Sequence, residues 1–232
     1  DILSYDLFLY NRMKGTTLGI NEEFVAAPKL DDLECAYSSI EGMLNAKLSE
    51  DYVTMCTVFD NEEVGSGTKQ GAGSTFFPEV LKRISYLSGK NEEEYYMAVA
   101  DSFMLSADNA HAVHPNYQDK TDPTNRPYIN EGIVLKYNAS QKYTTDANSA
   151  ALVKYLCKKE KINCQVFFNR SDMLGGSTLG NILTGQVSIK AADIGLPQLS
   201  MHSTYETAGC KDLDDMITLM RSFYEIGKEV QI

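Results

Sequence analysis

Tyr52-Val53-Thr54-Met55-Cys56-Thr57-Val58-Phe59 runs without a break into Asp60-Asn61-Glu62-Glu63-Val64-Gly65-Ser66. The first eight residues are mostly apolar and β-branched, the composition of a buried strand. The next seven put two adjacent carboxylates on that strand's exit. Side chains alternate across a strand. Glu62 and Glu63 can therefore aim in different directions, one at a metal and one at a water, the division of labour that a hydrolytic metal site needs. By itself the pair is a weak signal, because most Glu-Glu pairs are solvated surface.

On either side of this stretch, strand and helix patterns alternate. Leu33, Ala36, Tyr37, Ile40, Met43 and Leu44 follow the spacing of an amphipathic helix, which predicts a helix over 32–48. Asp31 and Asp32 stand at its N-terminal edge, a normal place for a capping Asp. Helices are expected over 75–87 and 92–100, then strands over 102–107 and 132–137. Asp146 opens a helix that runs to about Lys159, followed by a strand over 165–169. Ser177 is expected to cap a short helix after Gly175-Gly176. Short strands at 187–194 and 198–201 precede a last helix over 212–227. In that helix Leu213, Met216, Ile217, Met220, Phe223 and Tyr224 share one face. Such alternation predicts α/β layering, with a mostly parallel central sheet and helices on both faces. The polar loop 115–127 carries three prolines and is long enough to be functional.

The 232 residues are 43% hydrophobic and 23% charged, which suits one domain with a sizeable core. A net charge of −11 argues against nucleic acid, whose phosphates need Lys and Arg patches. No apolar run has the length of a membrane span. Cys35, Cys56, Cys157, Cys164 and Cys210 are odd in number and form no CxxC pair. They read as reduced thiols in a cytoplasmic protein. The start, Asp1-Ile2-Leu3-Ser4-Tyr5-Asp6, has no initiator Met and no leader pattern, and reads as the middle of a larger protein. No Gly-rich phosphate loop follows a strand, so a nucleotide-binding module has little support.

Four places put metal-grade ligands where a strand ends or a helix begins: Asp31, the Glu62-Glu63 pair, Asp108 and His202. Ligands of open α/β sheets bind outside the carboxyl ends of strands. Carboxylates with a histidine suit zinc, manganese or cobalt. Each residue also has a bland reading. Asp31 could be only a helix cap, Asp108 a turn residue and His202 a satisfied core histidine.

At these places the chain resembles the aspartyl aminopeptidase family of dinuclear zinc metallo-aminopeptidases. The resemblance rests on Ala27-Pro28-Lys29-Leu30-Asp31, Asp60-Asn61-Glu62-Glu63-Val64-Gly65-Ser66, Ser106-Ala107-Asp108-Asn109-Ala110-His111-Ala112-Val113-His114-Pro115-Asn116-Tyr117 and Pro197-Gln198-Leu199-Ser200-Met201-His202-Ser203. It covers essentially the whole chain, but only the C-terminal half or so of a typical family member.

The resemblance implies a zinc-exopeptidase-like three-layer sandwich and a catalytic metallopeptidase domain over 1–232. It implies two divalent ions, zinc with manganese or cobalt as alternatives. Asp31 would bridge them, Asp108 would hold the first, and Glu63 and His202 the second. Glu62 would be the general base that takes a proton from the attacking water and passes it to the leaving amine. His111, Lys136 and Tyr143 match substrate-holding positions. An ammonium at Lys136 can pair an acidic side chain, so the implied substrates are peptides with an N-terminal Asp or Glu. A homo-oligomer is implied as well.

The chain also departs from the family pattern. Asp32 stands where the family usually has Asn. A further His ligand to the first metal, from a preceding segment, and an inserted dimerisation domain have no counterpart in this sequence. The isolated chain is therefore expected to be inactive. A non-catalytic metal-binding or assembly subunit is the competing expectation.

Overall fold

Two sheets carry the fold, which a computed structural model describes for residues 1–227. The elements in order are β1 (Thr16–Leu18), β2 (Phe24–Ala27), α1 (Leu30–Leu44), α2 (Phe76–Leu87), α3 (Glu92–Asp101), β3 (Phe103–Ala107), β4 (Ala110–His111), β5 (Ile133–Tyr137), α4 (Ala147–Glu160), β6 (Cys164–Phe168), α5 (Leu179–Thr184), β7 (Lys190–Gly195), β8 (Pro197–Leu199), β9 (Glu206–Gly209) and α6 (Cys210–Glu225). The central sheet runs β3-β7-β5-β6. Its β3–β7 and β5–β6 pairings are parallel, and β5–β7 is antiparallel. The second sheet runs β1-β2-β9-β8-β4 and is antiparallel except where β4 meets β8.

The two-residue period of the strands places helices on both faces of the central sheet. Ile133 and Leu135 of β5 join a core with Leu152, Val153 and Leu156 of α4 and Met216, Leu219 and Met220 of α6. Met104 of β3 packs on the opposite side, among Phe77 of α2, Tyr95 and Val99 of α3 and Leu183 of α5. The expected α/β layering with a mostly parallel central sheet is therefore observed. Each fully buried Leu or Ile contributes about 1.5–3 kcal/mol. Asp146 opens α4 through a reciprocal cap. Its carboxylate accepts from Ser149 N at 2.8 Å, and Ser149 Oγ accepts from Asp146 N at 2.9 Å.

Three local expectations fail. Among the described residues, 52–59 join no ladder, and Val53 and Val58 are 65% and 56% exposed. A β-branched run becomes a strand only where a neighbour supplies hydrogen bonds. Here Met55 and Phe59 pack against the core cluster of α2 and α3, but among the described residues no strand borders them.

The apolar stripe of α1 also points outward: Leu33, Tyr37, Ile40 and Leu44 are exposed. The buried face is small and polar instead, with Glu34, Cys35, Ser38 and Gly42. A Cβ at Gly42 would lie 2.5 Å from Met220 Cβ, so the close approach of α1 to α6 dictates that face. The third failure concerns caps. Neither Asp31 nor Asp32 caps α1, because they lie inside its first turn, in non-helical conformations and joined by a cis peptide. The residue before α5 is Thr178 rather than Ser177, and its hydroxyl donates to Asp193 Oδ1 at 2.6 Å. Among the described residues no helix is long and apolar enough to cross a membrane. All five cysteines are free.

Candidate metal centre

Chain exits from both sheets meet at one cavity of about 830 Å³. β2 leads through Pro28 and Lys29 to Asp31 at the start of α1. β3 ends one residue before Asp108, and β8 three residues before His202. Glu62 and Glu63 come from the 60–66 loop, which two tight bonds hold: Gly65 N donates to Glu62 O at 2.8 Å and Ser66 N to Asn61 O at 3.0 Å. Asp31, Glu62, Glu63, Asp108, His111, Lys136, Tyr143 and His202 all line this cavity. So do Tyr117, Lys120 and Thr121 of the 115–127 loop. Lys29, Asn61, Ser66, Ser200 and His202 have left-handed backbones, with φ of 60°, 58°, 60°, 61° and 65°. Non-glycine residues adopt that region at a cost, and such residues concentrate at functional sites.

Asp31 sits at the centre of the charge. Its Oδ2 lies 3.1 Å from His202 Nε2, which is 3.3 Å from Glu63 Oε2. Asp31, Glu63 and His202 can offer three ligand atoms within 4.8 Å of one another, and so can Asp31, Asp32 and Asp108. Asp31 belongs to both groups. Its Oδ1 is buried with no hydrogen-bond partner, a costly state for a carboxylate oxygen. Burial, then the charges of Asp108 and Glu63, push its pKa up to about 7. Burial and Asp108 also raise Asp32 well above the usual carboxylate range. These carboxylates repel one another and leave an oxygen unpaired. A divalent cation satisfies both deficits, and an oxygen-rich set with one imidazole suits zinc, manganese or cobalt.

Glu62 belongs to neither group. It is half-buried, and its pKa is raised by burial and by the charges of Asp108 and Glu63. Lys136 lies at the cavity's inner wall, 2% exposed, with Nζ 3.0 Å from Asp108 Oδ2 and 5.5 Å from the Tyr143 ring centroid. Burial alone would lower its pKa, but the charge of Asp108 and its hydrogen bond, with Tyr143 and Asp193, together outweigh that and the net shift is upward. Tyr143 is buried against Phe167.

The residues behind the cavity escaped the sequence reading. Asn109 is 3% exposed and accepts from Cys35 Sγ at 3.0 Å. Its Nδ2 donates among Leu30 O, Glu34 Oε2 and Gln198 Oε1 at 3.1, 3.1 and 2.9 Å. Asn109 N donates to Asp32 Oδ1 at 3.2 Å. Burial pushes Glu34 up to about 7. Asn109 and Gln198 stand inside stretches that the sequence reading singled out, but nothing in an isolated Asn or Gln signals a buried hydrogen-bond hub. Asp32 stood out only as a possible helix cap and as a departure from the family's usual Asn, and nothing in the sequence marks Glu34 as buried.

The sequence matches, over residues 1–224, the family described as aminopeptidase I zinc metalloprotease (M18). A probable M18 family aminopeptidase 2 of Clostridium acetobutylicum is 45% identical over 226 residues, 97% of this chain and 52% of that protein. Among solved structures, one described as the Ape4 and Nbr1 complex superposes with a TM-score of 0.89 at 35% identity, covering 96% of this chain and 44% of that one. The S. cerevisiae mApe1 dodecamer gives 0.80 at 31% identity, over 93% of this chain and 49% of that one. The chain spans about half the length of the curated relatives it matches.

Proposed function

The chain belongs to the aminopeptidase I zinc metalloprotease (M18) family, and from that premise we propose that it is the metal-binding catalytic portion of an aminopeptidase that removes N-terminal Asp or Glu from peptides at two zinc ions. The observation that carries this reading is Asp31. One buried carboxylate belongs to two ligand groups at once, beside a Glu62 that belongs to neither. Asp31 would bridge the ions, Asp108 would hold one, and Glu63 and His202 the other. When bound, the ions lower the pKa of water and polarise the scissile carbonyl.

The remaining steps belong to the chain's own side chains. Glu62 takes the proton from the attacking water and delivers it to the leaving amine. Its raised pKa brings it nearer the neutral range where a carboxylate both accepts and returns a proton. Lys136 supplies the positive charge for an acidic substrate side chain, with Tyr143 and His111 as walls of the same pocket. Its burial supports specificity: a desolvated ammonium facing an apolar side chain loses hydration without gaining a partner. A homo-oligomer is the proposed assembly, in line with the dodecameric mApe1 neighbour. The five free thiols favour a reducing, cytoplasmic setting.

Metal analysis of the native protein, paired with a panel of substrates that differ in the N-terminal residue, tests the reading. Two zinc ions per subunit and fastest release of Asp or Glu are expected. One ion or none refutes the bridging role of Asp31, and faster release of neutral residues refutes the acidic preference.

A further inference from the structure

We infer that Glu206 is a positioning residue for the metal centre, one that sets the separation of Asp31 and His202 through their main chains. The inference rests on those two residues being ligands, as proposed above. β9 lies between β2 and β8 in the second sheet. Its first residue, Glu206, pairs with Ala27, the last residue of β2, and Thr207 pairs with Leu199, the last residue of β8. The two chains that deliver Asp31 and His202 therefore leave the sheet on either side of Glu206. Its side chain, 2% exposed, spans the gap. Oε2 accepts from Asp31 N at 3.0 Å and Oε1 from His202 N at 2.7 Å.

Hydrogen bonds to a carboxylate are about twice as strong as neutral ones, and more costly to lose when buried. The bond to His202 N also holds a left-handed backbone, with φ of 65°, a region uncommon for non-glycine residues. Both carboxylate oxygens of Glu206 are used, each on the main chain of a different ligand. The 3.1 Å approach of Asp31 Oδ2 to His202 Nε2 follows from that clamp. A ligand pair held at its working distance before the ion arrives loses less freedom on binding.

Asp212 provides an internal control. It too is a buried carboxylate that accepts from two main-chain N–H groups, Asn130 N at 2.5 Å and Gly132 N at 2.7 Å, yet it does not line the cavity. If Glu206 only satisfies buried N–H groups, the two carboxylates behave alike.

The test measures zinc affinity by competition with a chromophoric chelator, and melting temperature without metal, for wild type, Glu206→Gln, Glu206→Ala and Asp212→Asn. Gln keeps the shape of Glu206 but has one acceptor oxygen for two donors. Glu206→Gln is expected to bind zinc about 10–100-fold more weakly, and Glu206→Ala at least as weakly. Asp212→Asn is expected to keep wild-type affinity whatever happens to its melting temperature. Should Glu206→Gln not fold, Glu206→Asp takes its place with the same expectation, since its shorter stem cannot reach both N–H groups. A folded Glu206 variant that binds zinc within twofold of wild type overturns the inference, as does an equal loss in Asp212→Asn. A wild-type chain that binds no zinc refutes the metal centre itself and this inference with it.

Discussion

Lys136 Nζ lies 3.0 Å from Asp108 Oδ2, so the cation proposed to read the substrate is held against a proposed metal ligand. The ammonium has two possible partners, Asp108 and an acidic substrate side chain, at one end of one cavity. A cation on Asp108 would draw that carboxylate away and leave Lys136 for the substrate. Lys136→Ala is therefore expected to lower kcat/KM for acidic N-termini about 10-fold or more, the usual worth of a charged hydrogen bond, with a much smaller change for neutral ones. The two substrate classes assayed side by side decide it. An unchanged ratio means that Lys136 serves Asp108 alone.

Glu62 lines the cavity beside Asp108 and Glu63 but stays outside both ligand groups. Glu62→Gln keeps its volume and removes its ability to accept and return a proton. Turnover is expected to fall about 10²–10⁴-fold, with zinc content unchanged. Steady-state kinetics with metal analysis on the same sample checks this. Loss of zinc alongside activity would make Glu62 a ligand instead.

The difference between Glu62 and the buried residues behind it shows what a sequence can reveal here. Most strands and helices from residue 75 onward were legible because their apolar residues face the core with the expected period; the short strands β4 and β9 were not. The four stretches that meet at the cavity stood out because they put carboxylates and a histidine where strands end or helices begin. Residues 52–59 misled because a β-branched run says nothing of whether a neighbour is there to pair with it. The α1 helix misled for another reason: its best-spaced apolar residues, Leu33, Tyr37, Ile40 and Leu44, are its exposed ones. The packed side was chosen by Gly42 against Met220, a matter of backbone distance that hydropathy does not record. Glu206 gave no signal because its partners are main-chain N–H groups 175 and 4 residues away in sequence.

Metal binding through Asp31, as proposed, is expected to depend on pH. Its pKa, pushed up to about 7 by burial and then by Asp108 and Glu63, means that a proton competes with the cation near neutrality. Binding must expel that proton. Zinc affinity is expected to rise about tenfold per pH unit below 7 and to level off above it. Calorimetric titration in two buffers of different ionisation enthalpy gives the proton count directly. No proton release at pH 6 would show that Asp31 is already ionised there.

Asp212 makes stability depend on pH, with a definite sign. Burial raises its pKa from 3.8 to about 6 in the folded state, against the opposing bonds from Gly132 N and Asn130 N. A raised carboxyl pKa means that the folded state holds the proton more tightly than the unfolded state does. Its contribution is fully present below the unfolded pKa and is lost as pH rises through the folded one. The window is roughly pH 4 to 6, and the span corresponds to about 3 kcal/mol. Asp212→Asn cannot titrate, so this part of the slope disappears from the variant. Glu34, Asp31 and Asp32 shift in the same direction, but they are present in both proteins and largely cancel in the comparison. Urea denaturation of the metal-free chain at several pH values between 4 and 7 measures both slopes. Wild type is expected to lose stability relative to Asp212→Asn as pH rises across that window. Parallel curves would mean that Asp212 is ionised in the fold at no cost, its charge fully met by the two N–H groups.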